Sequence, residues 1–192
     1  QEGEEQAALD AYQSLSKAEP KLRLILVPRH PERFEQVAKL LDRSGIEWSR
    51  RSQLSSDAPG PATRVLLVDA VGELGAWWGT SHIAFVGGSL GSRGGQNMIE
   101  PAGYGAAISF GPNTRNFRDI VASPLRRHSA FVVLNAAELI AFVHRGIPEP
   151  EWSAALGRRA QELVCEQRGA TKRTVDLITR LSKHKTHGRQ AA

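Results

Sequence analysis

Cysteine is nearly absent. Cys165 is the only one in 192 residues, which excludes an internal disulfide framework and suits a reducing compartment. No His/Cys cluster has metal-ligand spacing. The nearest approach, HKTH at 184–187, lies in a basic tail, and no Asp-x-Asp pair offers a carboxylate clamp, so neither a metal nor another cofactor is expected. Long apolar runs are missing as well: no stretch of about 18 apolar residues is available to cross a bilayer as a helix. The opening QEGEEQAALD is acidic and polar, unlike a signal peptide. Aromatic residues make up 6% and do not alternate with basic ones, as a stacking platform for single-stranded nucleic acid would require.

What is present is a basic chain of formal net charge +5, 41% hydrophobic, with material for one sizeable core. The charge points to anionic partners as a class: phosphorylated ligands, nucleic acid or an anionic membrane surface. Part of it sits in LSKHKTHGRQAA (181–192), and the rest is spread through RRSQL, SPLRRH and GRRA. The chain begins at Gln1 rather than Met, so a piece of a longer or processed protein is expected.

Apolar runs bounded by turn signals recur along the chain. LRLILVP (22–28), RVLLVDA (64–70), HIAFVGG (82–88), AAISFGP (106–112) and AFVVLNA (130–136) read as strands, with a shorter one in IEWSRRS (46–52). Helical patterns fall between them, in EEQAALDAYQSL, PERFEQVAKLLDRSG, ELGAWWGTS, QNMIEPAGYG, NFRDIVASPLRR and AAELIAFVHRG, and a final helix pair covers 150–183 with a break near Gly169. Strands that are apolar throughout are covered by helices on both faces. Their alternation with helices predicts a doubly wound, Rossmann-like parallel α/β sheet over residues 1–183, followed by a basic tail at 184–192. A loop rich in Pro, Gly and Ser, SSDAPGPAT, separates two of the strands.

Residues 85–105, FVGGSLGSRGGQNMIEPAGYG, carry glycine at 87, 88, 91, 94, 95, 103 and 105. Such a run links a predicted strand to a predicted helix at the carboxyl edge, where open parallel sheets bind ligands. Two readings are open: an anion site at an amide-rich helix start, with Gly94, Gly95 and Gln96 as a phosphate loop, or a tight turn with close helix packing. The run is neither a Walker A nor a GxGxxG fingerprint. Pro28 and Arg29 follow another strand, and a guanidinium there either grips a phosphate or carboxylate or is solvated surface. Glu73 either caps the next helix or accepts from sugar hydroxyls or a base amino group. Glu100 either accepts from ribose or is a helix-start charge favoured by the macrodipole. Together these groups make a nucleotide site the stronger reading. Asp69 reads as structural, and Trp77 and Trp78 as helix packing. Ser89, Ser92 and Arg93 read as loop surface or minor contacts.

VPRHPERF, VGELGAWWGTSHIAFVGGSL, RGGQNMIEPAGYG and FGPNTRNFRDI, in this order, closely resemble the Kdo transferases of Gram-negative bacteria. These enzymes transfer 3-deoxy-D-manno-octulosonic acid (Kdo) from CMP-Kdo to the lipid A precursor. The resemblance implies the C-terminal, donor-binding lobe of a two-lobed GT-B fold, with the N-terminal acceptor lobe and its general-base glutamate absent from this chain, so that no catalytic residue is carried over. It also implies the cytoplasmic face of the inner membrane as the working surface, with no nucleic-acid partner. CMP contacts are implied at Pro28 and Arg29, at Gly72, Glu73 and Leu74, and at Asn97, Met98, Ile99 and Glu100. Phe117 and Asp119 belong to the family signature without a physical role. GAAISFGP departs from the family by lacking a proline before the strand. A UDP-sugar transferase of the same architecture and a non-catalytic nucleotide-binding module are the alternatives.

Overall fold

The computed structural model describes residues 3–54, 63–117, 128–167, 169 and 174–180. Helix α1 (Glu4–Leu15) turns Leu9, Tyr12 and Leu15 inward and leads to β1 (Leu24–Leu26). A 3-10 turn at Pro31–Arg33 feeds straight into α2 (Phe34–Arg43). Pro31 tolerates the first turn because its missing N–H would have had no intrahelical partner there. Helix α2 is amphipathic and buries Val37, Ala38 and Leu41.

The remaining elements are β2 (Trp48–Arg50), β3 (Val65–Leu67), α3 (Leu74–Trp78), β4 (Ile83–Val86), α4 (Ile99–Gly103), β5 (Ala107–Phe110) and β6 (Ala130–Val132), then α5 (Ala136–Gly146) and α6 (Pro150–Gln167). Asn135 caps α5 by accepting from the Glu138 amide at 3.0 Å. Residues 174–180 are helical, so the break near residue 169 separates two helical stretches as expected. The 55–62 loop, the helix expected beyond residue 117 (with Asp119) and the 181–192 tail lie outside the described residues.

Every strand pair is parallel. One sheet runs β1-β3-β2 and the other β4-β5-β6. The central strands are those with both faces covered: Val65, Leu66 and Leu67 of β3 and all four residues of β5 are buried. The single sheet expected from sequence is thus resolved into two three-stranded halves, and α1 joins them. Its Leu9 and Tyr12 pack with Leu26, Val65 and Leu67 of the first half, while Ala7 packs with Ala107 and Val133 of the second. Helix α6 closes the second half, with Ala160 against Met98, Ile108 and Phe110. Gly157 lies so close to the Gly105 carbonyl that a side chain there has no room.

Candidate functional site

The first half of the glycine run is approached by a carboxylate of the protein itself. Glu4, 5% exposed at the start of α1, accepts from the amides of Gly88 at 2.7 Å, Ser89 at 3.1 Å and Leu90 at 3.0 Å. A Cβ at Gly87 would stand 2.9 Å from Glu4 Oε2, so a larger residue there would push on this acid. Three convergent N–H groups make an anion nest. Between Gly87 and Leu90 that nest is filled internally by the Glu4 carboxylate. Ser89, fully buried, ties the same loop to β5, donating to the Val86 carbonyl at 2.6 Å and accepting from the Gly111 amide at 2.8 Å. Its sequence reading as a minor ligand contact therefore gives way to a structural one.

The second half of the run is laced to the turn after β5. The Asn116 amide donates to the Gly94 carbonyl at 3.1 Å, Asn116 Nδ2 to the Arg93 carbonyl at 2.9 Å and Asn113 Nδ2 to the Leu90 carbonyl at 3.2 Å. Gly94 has φ +88, a conformation L-residues rarely adopt, and a Cβ there would lie 2.6 Å from Arg115 Cγ. The Gly95 amide is engaged by the Gly88 carbonyl at 2.8 Å, which removes it as a ligand donor in this conformation. Among the described residues no hydrogen bond takes up the amides of Gln96 and Asn97.

Asn97 shapes the entry to α4. Its Oδ1 accepts from the Ile99 amide at 3.1 Å and its Nδ2 donates to Glu100 Oε1 at 3.0 Å. Ile99 and Glu100 are exposed, whereas Met98, 2% exposed, is a core side chain that can present only its main chain to a ligand.

Arg29 is exposed just past β1 and makes no ion pair among the described residues. Next to it, His30 Nε2 lies 3.4 Å from Arg93 Nη1, which brings the β1 loop against the glycine loop. Arg33 pairs with Glu5 at 3.1 Å, linking the β1 loop to the start of α1. The β3 loop leaves the same edge, since Leu26 and Leu67 are in register. There Gly72 has φ +93, and Glu73 accepts from Arg51 Nε at 3.0 Å and Trp77 Nε1 at 3.3 Å. Glu73 makes no side-chain cap, so its carboxylate closes a local polar cluster with one oxygen. Asp69 is structural as expected, accepting from the Ser52 amide at 2.8 Å and hydroxyl at 2.6 Å. Helices α3 and α4 touch at their C-terminal ends, where Gly79 faces the Tyr104 ring. Pro28–Arg29, Gly72–Leu74 and Gly94–Glu100 therefore share one edge of the domain.

No protein-family model matches the chain. It is 37% identical over 177 residues to a 3-deoxy-D-manno-octulosonic acid transferase of Haemophilus influenzae, and 34% identical over 171 residues to one of Bordetella pertussis. These alignments cover 92% and 89% of the chain but 41% and 40% of the relatives. The chain thus spans about two fifths of their length. Among solved structures it is similar to the C-terminal CMP-Kdo binding domain of WaaA from Acinetobacter baumannii, with a TM-score of 0.76, 32% identity, and coverage of 83% of this chain and 82% of that one. The chain belongs to the Kdo transferase family. Its part of the family is the C-terminal domain, and the α/β fold expected from the motifs is the fold found.

Two residues of this Kdo transferase domain escaped the sequence reading. Glu4 gave only the weak signal of an acid at a helix start. Arg115 gave that of a cation just past a strand-end FGP turn.

Proposed function

We propose that the carboxyl edge of the two half-sheets binds the nucleotide part of CMP-Kdo, and that a protein carrying this domain transfers Kdo to a lipid A precursor at the cytoplasmic face of the inner membrane. One observation carries the reading: three separate motif segments meet on one edge of a domain whose solved relative is described as CMP-Kdo binding. Arg29 and the amides of Gln96 and Asn97 suit the phosphate, being a guanidinium and peptide donors with no acceptor among the described residues. The oxygens of Glu73 and Glu100 left over from their protein bonds suit ribose or base donors. Pro28, Gly72, Leu74, Met98 and Ile99 frame the site with their main chain, while Gly94 and Gly95 set the loop's shape.

The reaction expects little more from this lobe. As CMP leaves, negative charge grows on its single phosphate while the sugar becomes oxocarbenium-like. Preorganised donors aimed at that phosphate lower the barrier, each contributing about 10²–10³ in rate. The general base belongs to the acceptor-binding lobe. A net charge of +5 suits an anionic membrane surface.

Calorimetric titration with CMP and UMP, joined to an amide-shift map, tests the reading. CMP is expected to bind more tightly than UMP and to move the resonances of Arg29, Gly72–Leu74 and Gln96–Glu100 together. Equal affinity for UMP would point to a UDP-sugar enzyme of the same architecture, and absence of nucleotide binding would overturn the assignment.

A further inference from the structure

We infer that Arg115 holds the carboxylate of the donor's sugar acid, in a groove beside the nucleotide site; this rests on the CMP-Kdo reading above. An open groove of about 320 Å³ is lined by Ser92, Pro112, Asn113, Thr114 and Arg115. It lies between the glycine loop after β4 and the turn after β5. Both walls are fixed in place. The Asn113 amide donates to the Ser89 carbonyl at 3.0 Å, and the two Asn116 bonds to Gly94 and Arg93 close the other end. Glu4 anchors the near part of the glycine loop through three amides. Asn113 and Asn116 are committed to this lacing. Ser92, Thr114 and Arg115 make no side-chain hydrogen bond or ion pair among the described residues.

The stem of Arg115 packs against the glycine loop. Its stem crosses the bare Cα of Gly94, where a Cβ would come within 2.6 Å of Cγ. Glycine at 94 is what lets the stem lie there, and Arg115 lines the groove from that position. A planar, always-charged fork held this way suits a carboxylate.

The donor has two anionic groups, one phosphate and one carboxylate, and this edge offers two exposed arginines that make no side-chain hydrogen bond or ion pair among the described residues. Arg29 follows β1 in the first half-sheet and Arg115 follows β5 in the second; Gln96 and Asn97 lie on the loop after β4, the neighbour of β5, and that loop meets the β1 loop through Arg93 and His30. A nucleotide whose base lies toward Glu73 and whose phosphate meets Arg29 and those amides directs its sugar toward the β5 turn. There Ser92 and Thr114 can bond sugar hydroxyls.

The test titrates CMP and CMP-Kdo into the 192-residue chain and into its Arg115→Met and Arg115→Lys variants. Methionine keeps an apolar stem over Gly94 and removes the charge, and a melting curve for each variant reports whether the fold is retained. The expected result is a loss of about tenfold or more in CMP-Kdo affinity for Arg115→Met, partial retention for Arg115→Lys, and CMP affinity unchanged within about twofold, the loss being that of one charge-assisted pair. Equal losses for CMP and CMP-Kdo would put Arg115 on the phosphate and overturn the carboxylate assignment. Unchanged affinity for both would return it to plain surface. If the unaltered chain binds neither compound, the nucleotide reading fails and takes this inference with it. If it binds CMP normally and only the Arg115 effect is missing, the nucleotide reading stands.

Discussion

Glu4 Oε2 sits 2.7 Å from the amide nitrogen of Gly88, across 84 positions of sequence. Through this bond and its two companions the first turn of α1 becomes part of the glycine loop, and the start of the domain stiffens the element that carries the candidate phosphate donors. Replacing Glu4 by glutamine puts an NH₂ where one carboxylate oxygen faces a peptide donor. A buried donor left unpaired costs about 1–3 kcal/mol. The melting temperature is expected to fall by several degrees, with the amide resonances of Gly88, Ser89 and Leu90 moving most. An unaltered melting curve would show that the nest does not depend on its internal anion.

Arg29 is exposed and makes no side-chain hydrogen bond or ion pair among the described residues, so its removal separates binding from stability. Arg29→Ala is expected to leave the melting temperature in place and to weaken CMP about tenfold or more, the size of a charge-assisted hydrogen bond. Calorimetry decides it, and equal CMP affinity in variant and parent would take Arg29 out of the site.

Gly157 sets the distance between α6 and the strand it covers. Its Cα faces the carbonyl of Gly105, directly ahead of β5, and backbone cannot move aside as a flexible side chain can. Gly157→Ala is expected to destabilise by about 1–3 kcal/mol or more through overpacking. Chemical denaturation measures this, and an unshifted midpoint would contradict the close approach.

Among the described residues, the carboxylate with a clear pKa shift is Glu35, on the surface. The hydrogen bond from Arg50, at 2.6 Å, and then its charge hold the Glu35 carboxyl below the usual carboxylate range. A carboxylate depressed in the folded state stabilises fully above its unfolded pKa, and the contribution fades as pH falls through the lower, folded value. Arg50 stays charged throughout. Glu35→Gln is therefore expected to lower stability slightly at neutral pH and to converge with the parent in acid, as unfolding curves at several pH values would register. Because Glu35 is 69% exposed, solvent keeps the effect small.

The sequence alone was enough for the fold class and, among the described residues, for the order of strands and helices. Residues such as Val65–Leu67 are apolar without alternation, and only a strand covered on both faces accommodates that pattern. Pro28–Arg29, Gly72–Leu74 and Asn97–Glu100 were legible as strand-end segments, because loop chemistry next to a buried strand is a local signal. The two-half division of the sheet was not legible, since pairing partners are chosen by tertiary contacts. The tertiary structure alone decided what fills the glycine run. Glu4 and Gly88 are brought together by the packing of α1 across both half-sheets, and an anion nest looks the same in sequence whether a ligand or a distant side chain occupies it. The same holds for Arg115, whose position depends on a bare Cα in another loop.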